Sequence, residues 1–156
     1  MNPLTNIIAM SPFFSNMAAE HLDTIAGCAT EVQFKARHII FREGEPANQF
    51  YLIESGSVAV EAHQASAGDV LVQILGPGDV LGWSWLFPPF VWHLRARALE
   101  PTAAIVLNGA HLLVAAERNR DFGYELMKRV AQVVIRRLQA TRKQLLDQQI
   151  ESALDG

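Results

Sequence analysis

The sequence is poor in the residues that usually announce chemistry. It has a single cysteine, Cys28, which excludes an internal disulfide, a multi-cysteine zinc site and a cysteine-ligated iron–sulfur cluster. It has no cationic excess: 13 Lys and Arg stand against 16 Asp and Glu, for a net charge of −3. Such a balance argues against nucleic acid as the default partner, because no surplus of cations is present to displace counterions from phosphates. No apolar run approaches the ~18 residues of a membrane span, and Met1 to Asn6 carry no basic leader ahead of an apolar stretch. The expected setting is the cytoplasm, with no membrane association. Catalytic arrangements are missing too. No nucleophile has a base beside it, there is no phosphate-cradling glycine loop, and the five histidines include no pair at metal-ligand spacing. No metal or catalytic residue is therefore assigned, and Cys28 reads as a small core residue.

What the sequence does contain is half hydrophobic, and its 156 residues make one domain overall. Ser11-Pro12 opens a turn and Asn16 is placed to cap a helix over Met17, His21, Leu22, Ile25 and Ala26. From Glu31 the period changes to short β-rich runs punctuated by Gly and Pro, the rhythm of an all-β sandwich or barrel. Ala65 to Asp69 forms a hairpin tip, Val70 to Leu75 a strand, Gly76 to Asp79 a turn, and Leu94–Ala98 and Ala103–Leu107 two further strands. Gly44, Gly56, Gly68 and Gly78 stand at strand ends as turn residues.

A long helix follows, capped by Asn119 or Asp121 and running to about Gln149. Met127, Ala131, Val134, Leu138, Thr141, Leu145 and Gln148 recur at steps of four and three, a heptad seam, while Leu126, Val130 and Val133 form a second stripe beside it. One stripe is expected to pack on the β domain and the other on a second copy of the chain. The boundaries that follow are 1–118 for the N-terminal helices and β-roll, and 119–150 for the dimerisation helix.

Four stretches carry a resemblance. They are Ser11-Pro12-Phe13-Phe14, the long run from Ile40 to Val58, Gly76-Pro77-Gly78-Asp79-Val80-Leu81-Gly82, and Arg136 to Thr141. Together they resemble the cyclic nucleotide-binding domain of the Crp/Fnr regulators. The fold this implies is mainly β: a double-stranded β-helix, or jelly roll, with short N-terminal helices and a long C-terminal one. The resemblance also implies a phosphate-binding cassette after Gly82. There a Glu would accept from the ribose hydroxyl, and an Arg beside a small residue would hold the cyclic phosphate next to a short helix.

Here the Glu position holds Trp83, the Arg position Phe90, and its neighbour is Val91. Indole nitrogen is a donor only, and a phenyl ring cannot neutralise phosphate. Binding of cyclic AMP or cyclic GMP in the usual way is therefore not expected. Arg95 and Arg97 could substitute only from a shifted register or across an alignment gap at Pro88-Pro89, since strand alternation sets them opposite Leu94 and Ala96; Ser84 and cassette N–H groups could hold a smaller anion.

Trp83, Trp85, Phe87, Phe90 and Trp92 fall close together, and they include all three tryptophans. They line either a pocket for an apolar or planar ligand or a closed core. The candidate pocket is Gly82, Trp83, Ser84, Trp85, Phe90, Val91 and Thr141; the resemblance implies that Thr141 reaches toward the ligand. Haem, which some relatives in that family use, is not expected from His93 or any other lone histidine. The resemblance further implies that the chain ends about where a hinge to a DNA-binding domain would lie, so no specific DNA binding is expected of this chain alone. The expected function is a non-catalytic sensor that dimerises. Its two rivals are a true cyclic AMP receptor with a non-standard pocket and a ligand-free dimerising scaffold.

Overall fold

The computed structural model describes residues 3–155. Met1, Asn2 and Gly156, at the ends to which the leader and hinge expectations refer, lie outside the described residues. The chain runs α1 (Pro3–Met10), α2 (Ala19–Ala26), β1 (Ala29–Phe34), β2 (Ile39–Phe41), β3 (Gln49–Ser55), β4 (Val58–Gln64), β5 (Gly68–Leu75) and β6 (Val80–Leu81). A 3-10 turn at Ser84–Leu86 precedes β7 (Arg95–Ala98), β8 (Thr102–Asn108), α3 (Gly109–Arg118) and α4 (Arg120–Asp155).

The strands form two antiparallel four-stranded sheets, ordered β1-β8-β3-β6 and β2-β7-β4-β5. The first sheet is covered on both faces, so its central strands carry apolar residues at both parities. Along β3, Phe50 and Leu52 face the helices, while Tyr51 and Ile53 face the second sheet. In β8, Ile105 and Leu107 take the helix side and Val106 the inter-sheet side. This double burial explains the unbroken apolar run of β8. The helix-side core gathers Ile8, Phe13, Phe14, Met17 and Ile25 with Phe122, Leu126 and Val130 of α4.

Two helices are absent from the sequence reading. α1 carries neither an acidic first turn nor a basic last turn. α3 continues directly from β8, where Asn108 Oδ1 accepts from the His111 N–H at 3.0 Å. The expected cap of α2 is corrected: Asn16 has φ +64°, and Ala18 occupies the cap position without a side-chain bond. For α4 the cap is Asn119, whose Oδ1 accepts from the N–H groups of Asp121 and Phe122, and the helix continues past Gln149 to Asp155. At 36 residues it is about 54 Å long. Only its first half has the roll beneath it. Arg129 fastens that half by pairing with Glu125 at 2.6 Å and donating to the carbonyls of Phe13 and Ser15.

Gly56 is one position where the backbone admits no side chain. Its φ is +92°, and a Cβ would come within 2.6 Å of the Pro101 carbonyl oxygen.

The outer face of the second sheet carries an ion cluster. Glu61 is only 7% exposed and stands opposite Arg95 in the β4–β7 ladder. Its carboxylate accepts from Arg95 Nη2 at 3.1 Å and from Arg97 Nε at 3.1 Å. Hydrogen bonds from Arg97 foremost, and then from Arg95, hold its carboxyl below the ordinary 4.5 against the upward pull of burial. A depressed folded value makes this contribution complete above 4.5 and removes it as pH falls through the folded value. Glu61→Gln is expected to lower Tm at neutral pH and to remove part of the decline in Tm below pH 4.5, as followed by thermal unfolding across a pH series. A variant with an unchanged acid slope would contradict this assignment.

Candidate functional site

The cassette begins at Gly82, whose φ of +86° turns the chain out of β6. A Cβ here would meet the Trp92 ring at 2.6 Å, so Gly82 is what lets Trp92 lie against the backbone. Trp92, 5% exposed, stacks on Phe41 with centroids 3.8 Å apart and planes within 10°. Trp85 goes the other way. It is buried in the helix-side core against Phe50, and its indole N–H donates to the Gly82 carbonyl at 2.9 Å.

The aromatic cluster is therefore divided. Two rings fill core on opposite sides of the first sheet, and Phe87 and Phe90 project from the surface, 51% and 39% exposed. Trp83 is partly buried, packed against the helix-side core with Arg137 of α4 over its ring. The short helix that the resemblance implies is only the 3-10 turn of Ser84–Leu86, too brief to offer a row of free N–H groups.

A cavity of ≈ 260 Å³ remains beneath α4. Its floor is Phe41, Val60, Leu81, Trp92 and Leu94; Gly82, Trp83 and Ser84 form one side; and Arg137, Leu138 and Thr141 of α4 form the roof. Of the sequence-assigned residues, Gly82, Trp83, Ser84 and Thr141 meet here. Trp85, Phe90 and Val91 do not, which corrects that part of the assignment. Phe90 has φ +56° at the tip of a turn, where its N–H donates to the Phe87 carbonyl, and this conformation carries its ring outward. Val91 bridges Pro46 instead, and the inward position passes to Trp92. Arg95 and Arg97 lie on the outer face with Glu61, as strand alternation requires, and do not line the cavity. Thr141 spends its hydroxyl proton on the Arg137 carbonyl at 3.0 Å, which leaves its oxygen as an acceptor.

The residue that sequence reasoning missed is Arg137. Its guanidinium carbon lies 4.7 Å from the centre of the Trp83 ring, and one terminal nitrogen donates to the Val80 carbonyl. Burial, opposed by Asp79, brings its pKa down to about 10. The signal was available: Arg137 precedes Thr141 by four residues, one helical turn, so a helix that aims Thr141 at the cavity aims Arg137 there as well. It was assigned only to the dimerisation helix.

The seam residues Met127, Ala131, Val134, Leu138, Thr141 and Leu145 are all exposed in the single chain, whereas Leu126 and Val130 are buried and Val133 partly so. Among the described residues there is no cluster of His, Cys, Asp and Glu able to hold a metal, and no helix is long and apolar enough to cross a membrane.

Comparison with known proteins adds to this geometry. A family model described as "Cyclic nucleotide-binding domain" matches residues 31–119. A CRP-like cAMP-activated global transcriptional regulator of Mycobacterium tuberculosis is 26% identical over 144 residues, covering 92% of this chain and 62% of that protein. This chain thus spans less than two thirds of that relative's length. A solved structure of a protein from Geobacter metallireducens described as cyclic nucleotide-binding shares 30% identity at a TM-score of 0.78, covering 86% of this chain and 97% of that one. A cyclic nucleotide-binding domain from Methylobacillus flagellatus, 18% identical, superposes with a TM-score of 0.79 over 93% of this chain and 82% of its own, a likeness of fold. The jelly roll with flanking helices and a long C-terminal helix is the architecture they share.

Proposed function

Because the chain belongs to the cyclic nucleotide-binding domain family, we propose that it is a non-catalytic regulatory module whose ligand seat is the cleft between the roll and α4, and that this seat does not take cyclic AMP or cyclic GMP in the usual manner. The observation that carries this reading is the cavity's composition. No carboxylate lines it to accept from a ribose, Trp83 stands where the family's Glu is expected, and Phe90, at the expected Arg position, faces solvent. The open volume above Trp92 supports a ligand-binding module over a closed scaffold.

The module works in the cytoplasm as a homodimer joined along α4, with residues 1–118 as sensor and 119–150 as dimerisation helix. The exposed stripe of Met127, Val134, Leu138 and Leu145 supports this pairing, as does a helix that outruns its own roll. Leu138 and Thr141 belong both to the seam and to the cavity roof, so a ligand that shifts the roof shifts the dimer contact. The partner that reads this change is another protein.

Isothermal titration with cyclic AMP and cyclic GMP is expected to show no micromolar binding; a micromolar Kd for either would overturn the reading of the cassette. In sedimentation velocity the wild type is expected to run as a dimer and Val134→Asp with Leu145→Asp as a monomer. A monomeric wild type would remove the dimer from the account.

A further inference from the structure

The cavity has one charged side chain, Arg137, and among the described residues no carboxylate forms an ion pair with it. Arg137 sets its guanidinium over the Trp83 ring, 4.7 Å from carbon to ring centre, and gives a single terminal nitrogen to the Val80 carbonyl. Its remaining donors have no acceptor among the described residues. Asp79, whose charge favours the guanidinium, forms no ion pair with it and accepts from the Gly76 N–H at 2.8 Å within its own turn. A half-buried guanidinium whose spare donors reach solvent beside an apolar cavity is equipped to hold an anion that enters there.

The lining limits what that anion belongs to. Apart from Gln73, Ser84, His93 and Thr141, the walls are apolar, and the floor is broad and aromatic at Trp92. A volume of ≈ 260 Å³ lies below the ~300–1,000 Å³ usual for drug-sized ligands, so the occupant is compact. A phosphate monoester brings up to two charges and three acceptor oxygens, more than one partly committed guanidinium can satisfy, and a nucleoside cyclic phosphate, though singly charged, adds a sugar for which the lining offers no carboxylate. A carboxylate brings one charge and two oxygens, which a single planar fork can meet.

We infer that the cleft binds a compact, planar, apolar monocarboxylate, with its carboxylate on Arg137 and its ring system on the floor formed by Val60, Leu81 and Leu94. This rests on the reading of the cleft as a ligand seat not built for cyclic nucleotides. Trp83 acts as a positioning residue: its indole face holds the guanidinium at the mouth of the cavity through a cation–π contact.

The test titrates the full chain at pH 7 with benzoate and naphthalene-1-carboxylate, with their uncharged primary amides, and with cyclic AMP, read by tryptophan fluorescence and calorimetry. At least one carboxylate is expected to saturate, and its amide to bind about tenfold more weakly or worse, the ratio expected for one charge-assisted hydrogen-bond pair. Arg137→Gln is expected to bring acid and amide within about twofold of each other, while Arg137→Lys keeps part of the preference. Thermal unfolding of both variants checks that the fold persists, and if Arg137→Gln does not fold, the wild-type ratio and Arg137→Lys decide. Equal binding of acid and amide, or an acid preference that survives Arg137→Gln, overturns the inference. So does the failure of every carboxylate to saturate while cyclic AMP also fails to bind, a result that leaves the wider reading standing. Micromolar binding of cyclic AMP overturns the wider reading itself.

Discussion

A half-buried cation at the junction of roll and helix sets the terms for the rest of this structure. Arg137 sits where α4 stops being supported from below. Before it, Phe122, Leu126 and Val130 are sunk in the helix-side core, and Arg129 is tied to the carbonyls of Phe13 and Ser15. After it, the helix is exposed along its length. The guanidinium is thus the last specific tie between α4 and the roll, through the Val80 carbonyl and the Trp83 ring. It is also part of the cavity wall. Whatever neutralises it acts at the point where the helix leaves the body, the place from which a small change in packing is carried farthest along a rigid rod.

Position 83 holds an indole where the resemblance expects a carboxylate, and on the proposed reading this has two consequences that belong together. A carboxylate there would pair with a helix-borne cation and present an acceptor to a sugar. An indole offers neither, but its ring receives the guanidinium without consuming its hydrogen-bond donors. Opposite, Trp92 has turned inward onto Phe41 because Gly82 leaves room for it, and Phe90 has turned out. The result is a largely apolar cleft of ≈ 260 Å³ with Arg137 as its one charged side chain. On the proposed reading its recognition chemistry differs in kind from that of a sugar-phosphate site, although the roll that frames it is the same.

Much of the frame was legible in the sequence. Gly and Pro punctuation located the hairpin around Gly68 and the turn at Gly76 to Asp79, and the heptad spacing separated an outward stripe of α4 from the inward Leu126 and Val130. Alternation placed Arg95 and Arg97 correctly on the outer face, because a strand's period of two leaves no other choice. α1 and α3 escaped because their short apolar runs carry weak start and stop signals. Within the site, counting positions along the cassette put Phe90 in the pocket, but the count cannot see a left-handed backbone that reverses where a side chain points. Arg137 escaped for a different reason. A search for apolar periodicity passes over a cation whose stem packs and whose head group turns inward.

Whether the Arg137 guanidinium lies over the Trp83 ring is read from side-chain NMR. In ¹⁵N-labelled protein the account predicts an Arg137 Nε–H proton shifted upfield by the indole ring current, with the shift abolished in Trp83→Leu. An Arg137 signal at the position of a free arginine, unmoved by that substitution, would contradict it.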